Sequence, residues 1–131
     1  MIGYRIGTYT AGVATLSYLE DLGFTTMPFP SPFRPWSVVY PVANGASYGD
    51  GFSVCEWRFK ILRSAEMAVL LGYIGAGVQS KLISLSTKDD SDVFADYKAY
   101  IHRPQYPDQG DRRPGGYWSN VVFKFTQLES I

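Results

Sequence analysis

The stretch "GFSVCEWRFKILRSAEMAVLLGYIGAG", residues 51–77, changes its hydrophobic period in the middle, and that change most constrains the fold. From Ser53 to Ile61 the period is two. Cys55, Trp57, Phe59 and Ile61 fall on one side, with Val54, Glu56, Arg58 and Lys60 on the other. Such alternation predicts a strand with one apolar and one mostly charged face. Ser64 then stands where an N-cap is expected, with Glu66 in the first turn, where the helix dipole favours an acid. Met67, Leu70, Leu71 and Ile74 follow at i, i+3, i+4 and i+7, one helical stripe, and Gly75 and Gly77 close it. A strand therefore runs straight into a helix of about 64–75.

Three more strands are predicted downstream. "SKLISLST" (80–87) alternates weakly, and "KDDSD" (88–92) reads as a turn. "VFADYKAYIHR" (93–103) places Val93, Ala95, Tyr97, Ala99 and Ile101 on one face. A polar stretch, "PQYPDQGDRRPGG" (104–116), is expected to be a long loop within the domain. The closing "YWSNVVFKFTQL" sets Val121, Phe123 and Phe125 together. Upstream, residues 1–50 read as an N-terminal arm with short strands. "PFPSPFRPW" (28–36) carries four prolines, which remove ladder donors and suit only an extended, edge-like piece. "ANGASYGDG" (43–51) is a turn or loop by its Gly, Asn and Asp content. The expected fold is a single domain, mainly β (α+β): an antiparallel β-sandwich or barrel-like sheet with one flanking helix.

Composition agrees with this class. The 131 residues suffice for one core, and ten Tyr, eight Phe and three Trp suit pleated strands and protein contact surfaces alike. Twelve basic and twelve acidic residues cancel, which argues against phosphate-driven nucleic-acid binding and leaves self-association unopposed by net charge. One cysteine excludes an internal disulfide framework or a multi-cysteine zinc site. The N-terminus lacks the pattern of a secretory signal, and no apolar run approaches the roughly 20 residues that span a bilayer. A soluble protein made in the cytoplasm, without membrane insertion, is expected.

Candidate chemistry is sparse. Cys55 with His102 offers a thiol and a base, but alternation sends Cys55 to the apolar face, where it behaves as a small hydrophobe. Asp89, Asp90 and Asp92 lack the Gly and distant Glu of a calcium loop and fit a turn better. No triad, paired-carboxylate motif or nucleotide fingerprint is present. The expectation is a non-enzyme with no cofactor and no metal. Glu56, Arg58, Lys60, Asp96, Lys98 and Lys124 mark polar strand faces, either solvated or turned to a channel or partner. Phe29, Phe33 and Trp36 of the proline-rich piece, and Arg103, Tyr106, Arg112 and Arg113 of the long loop, are expected at a subunit interface.

The element order of "GFSVCEWRFKIL", "SAEMAVLLGYI", "KLISLST", "VFADYKAYIHRP", the long loop and "GYWSNVVFKFTQLE" resembles the tail-tube fold of tailed bacteriophages. That fold is shared by tail tube proteins and the ring-forming domain of distal tail proteins. The resemblance spans roughly residues 50–130. It implies a virion structural protein of the tail, packed as a hexameric ring whose sheets join into a barrel around a DNA channel. DNA would pass without sequence-specific contact. Partners would be other copies of the chain and other tail proteins. The polar face would then look into the lumen, and the loop 104–116 and the N-terminal arm would reach neighbours. The alternative is a β-sandwich carbohydrate- or ligand-binding module using exposed Tyr and Trp, such as Trp36 or Trp118.

Overall fold

A computed structural model describes residues 3–28, 31–36, 38–41, 43, 45–105 and 108–131. About half of the described residues are strand, paired antiparallel, and a single α-helix occurs among them. In chain order the strands are β1 (Arg5–Thr10), β2 (Val13–Ala14), β3 (Ser17–Tyr18), β4 (Phe33–Arg34), β5 (Val38–Pro41), β6 (Ser47–Asp50) and β7 (Ser53–Arg63). Helix α1 (Ser64–Ile74) follows, then β8 (Ser80–Lys88), β9 (Phe94–His102), β10 (Asp111–Arg113) and β11 (Tyr117–Ser130). The main sheet runs β2-β1-β8-β9-β11-β7-β4, with β3 on β1 and β10 on β11, while β5 and β6 form a separate hairpin. The expected mainly-β class with one flanking helix is what the chain adopts.

The sheet curls until its ends meet. Strands β7 and β8 are three places apart, yet the Trp57 indole N–H donates to Thr87 Oγ1 at 3.1 Å. Tyr4 sets its ring edge-on to both Trp57 and Phe94, at 5.7 and 5.0 Å between centroids. Edge strand β4 likewise brings Phe33 to 5.9 Å from the Tyr97 ring of β9. The concave side is filled by Ile6, Trp57, Phe59, Ile83, Leu85, Ala99, Ile101, Val121, Phe123 and Phe125, all essentially buried. Helix α1 packs on β7, β8 and β11 through Met67, Leu70 and Ile74.

The N-terminal residues enter the body. β1 pairs with β8 (Ile6 with Leu85), and Ile6, Leu19 and Phe24 belong to the core. Ala11 and Gly12, both at positive φ, make the two-residue turn into β2 whose twist matches a hairpin. The chain then crosses back over β1 at Gly7, where any Cβ would overlap the Thr15 carbonyl. This crossing explains the weak alternation of β8. Ser84, on the outward side, donates to the carbonyls of Thr8 and Thr15 at 3.0 and 2.8 Å, so β8 is covered on both faces.

Several local expectations are corrected. Ile61 is exposed and Leu62 buried, because β7 and β11 change phase together where Lys60 lies opposite Asn120, whose φ is +59°. The helix starts at Ser64 itself, with Arg63 as the N-cap residue, not Ser64. Glu66, buried, accepts from the backbone N–H of Arg63 and of Thr25, each at 2.9 Å, and so ties the helix start to the segment beside it. Val93 lies in the turn before β9 and is exposed. The stretch 104–116 is not loop throughout: β10 pairs with β11, and the Asp108 carbonyl accepts from Val122 N–H, so the chain stays close to β11.

Candidate functional site

Alternation along three neighbouring strands gathers the charged residues on the convex face of the sheet. Register places Glu56 of β7 opposite Lys124 of β11, which is opposite His102 of β9. Beyond it Arg34 pairs with Val54, and Thr126 with Tyr100. Asp96 and Lys98 continue the face along β9, and Arg58 and Lys60 along β7. The six residues expected on a polar sheet face thus share one surface.

Their charges are largely paired within the chain. Arg58 donates from Nε and Nη2 to Glu56 Oε2, at 2.9 and 2.7 Å. Arg5 reaches Asp96 at 2.7 Å, and Ser86 donates to the same carboxylate oxygen. Lys98 pairs with Glu129 at 3.1 Å, and that hydrogen bond and charge raise the lysine pKa. Lys124 turns from Glu56 to Asp108, at 3.0 Å, holding Asp108 against the sheet.

Two depressions adjoin on this face. The first, of about 500 Å³, lies over Val54, Glu56 and Thr126, between Pro32 and Arg34 of the edge and Arg58 and Lys124. The second, of about 350 Å³, continues past Lys124 and Thr126 to His102, Gln105 and Asp108. Arg34, Arg58 and Lys124 border the first depression; Arg58 is paired with Glu56 and Lys124 with Asp108, so Arg34 makes it a basic spot on a chain of zero net charge.

Cys55 and His102 do not form a catalytic pair: the sheet separates them. Cys55 points into the core, and burial, then the nearby Glu56 charge, push its thiol pKa far up, the reverse of an activated nucleophile. His102 lies on the convex face, hydrogen-bonded to Thr126 at 2.7 Å, with its pKa lowered by burial and by Lys124. Asp89 acts as a turn former, its Oδ1 accepting from the N–H groups of Ser91 and Val93 at 2.8 and 3.0 Å.

The expected interface residues separate into different roles. Phe33 is partly buried against the core, so it is a packing residue of the edge strand. Trp36 is about half exposed beside Gly49 of the β5–β6 hairpin. Arg103 donates to the carbonyls of Gly75 and Val78 at 2.6 and 3.2 Å, closing the end of α1 where orphan carbonyls favour a cation. Arg112 and Arg113 are exposed on β10, with Arg113 donating to Ser119 Oγ. Phe29 and Tyr106 lie outside the described residues. Trp118, the second tryptophan considered as a ligand platform, packs against the core.

Sequence reasoning missed Arg34, because a lone arginine between prolines shows no period, and Asp108, whose contact with Lys124 spans a loop. No family model, curated protein or solved structure matches the chain.

Proposed function

We propose that this chain is a structural, self-associating protein of a bacteriophage tail, a ring component of the tail tube or tail tip. The observation that carries the reading is the architecture in its order: a long amphipathic strand, one flanking helix, then three long strands of the same curled antiparallel sheet. That is the arrangement the resemblance calls for. The concave side is filled by the chain's own core, so the convex face is the sheet surface left to meet a lumen or a neighbour. On it the Arg5–Asp96 and Lys98–Glu129 pairs suit a wall past which DNA slides, since paired cations hold phosphates weakly. Analytical ultracentrifugation and negative-stain microscopy across protein concentration test this: rings or tubes are expected, and a strict monomer at the highest concentration overturns the reading.

A ligand-binding module is the second reading, favoured by the 500 Å³ depression and the exposed Trp36. Binding on a glycan array that is lost in Trp36→Ala, from a chain that stays monomeric, would establish it instead.

A further inference from the structure

We infer that the basic depression beside β4 receives the β8–β9 turn of a second copy, in a head-to-tail contact. The inference rests on the self-association reading above and names its surface. The receiving side offers Val54 and Pro32 as apolar surface beside Glu56 and Thr126, bordered by Arg34, Arg58 and Lys124. Arg58 and Lys124 have acidic partners in the chain, whereas Arg34 is exposed and no ion pair to it occurs among the described residues.

The turn carries the complement. Val93 stands 57% exposed at its end, a large apolar side chain with no place in its own core. Around it are Asp89, Asp90 and Asp92, against one lysine, Lys88. Asp89 is used internally to hold the turn, which fixes its shape before any contact forms. The Asp92 carboxylate is highly exposed and pairs with Lys88 at 3.2 Å, and Asp90 is exposed too. An exposed valine flanked by acidic side chains thus complements Val54 and Pro32 beside the exposed Arg34. Two such complementary but non-identical surfaces generate a heterologous contact that repeats from copy to copy and closes into a ring where the rotation permits. Glu56, Arg58 and Lys124 then lie in the subunit contact, leaving Asp96 and Lys98 for any lumen.

Charge reversal tests it on surface positions that leave the core untouched. Arg34→Glu, and separately Asp90→Lys with Asp92→Lys, are each expected to weaken self-association at least about tenfold, because like charges are set against each other. Circular dichroism spectra should stay those of the parent, and each variant should still unfold in one cooperative transition. Combining the reversals in one chain should restore assembly, and raising salt should weaken the parent's assembly. Mixing the two singly reversed chains adds a stricter test. The acidic turn of one meets Arg34 of the other, and the reversed turn meets the reversed depression, so mixing is expected to restore assembly with the two chains alternating, while each chain alone stays weakened. Parent assembly that neither reversal alters overturns this contact while sparing the tail reading. A parent that remains monomeric overturns both.

Discussion

The two faces of the curled sheet are made by the same strands and behave differently. On the concave face, Trp57, Phe123, Phe125 and Ile101 are fully buried, and the indole N–H of Trp57 finds Thr87. On the convex face, the ion pairs of Arg58, Arg5, Lys98 and Lys124 sit in partial contact with water. Burial makes each concave contact expensive to remove, whereas solvent screens the convex pairs. Alternation by one residue therefore assigns stability to one face and leaves the other free to change its partners.

The comparison breaks most visibly at Trp57. Trp57→Ala leaves a large void and an unpartnered Thr87 hydroxyl where the ends of the curl meet. It should cost about 3–5 kcal/mol in urea unfolding. A loss under about 1 kcal/mol would mean that the concave face is not the tightly packed core. On the convex face, Arg58→Ala removes an exposed pair and should change the same measurement by no more than about 1 kcal/mol.

The smallest effect concerns pH. Burial and Lys124 lower the His102 pKa in the folded chain, so the unfolded chain binds that proton more readily. Stability should therefore decline slightly as pH falls through the ordinary histidine value of 6.5. His102→Gln should flatten the dependence between about pH 7 and 5. An unchanged slope would remove His102 from the account.

Much of the architecture was readable from local period. The strand from Ser53 to Phe59, the stripe Met67, Leu70, Ile74, the Asp89 turn and the edge-like character of the proline-rich piece all follow from chemistry repeated within a few residues. The convex charged face was readable for the same reason, since alternation fixes which side chains share a side. The basic depression was not, because Arg34, Glu56 and Lys124 meet only when three strands from distant parts of the chain lie in register.

The sequence by itself determined which residues face together from Ser53 to Phe59 and from Ala95 to Ile101, where the helix begins and ends to within a residue or so, and the mainly-β class. Only the tertiary structure decided that β1 sits beside β8, that Phe33 packs inward, that Ile61 turns out and Leu62 in, and that Arg103 closes the helix. The physical reason is range. Period and capping act between neighbours in the chain, while pairing register, the shared phase change at Lys60 and Asn120, and the curl that joins Trp57 to Thr87 depend on contacts between distant segments. Those contacts exist only once the whole sheet has closed on its core.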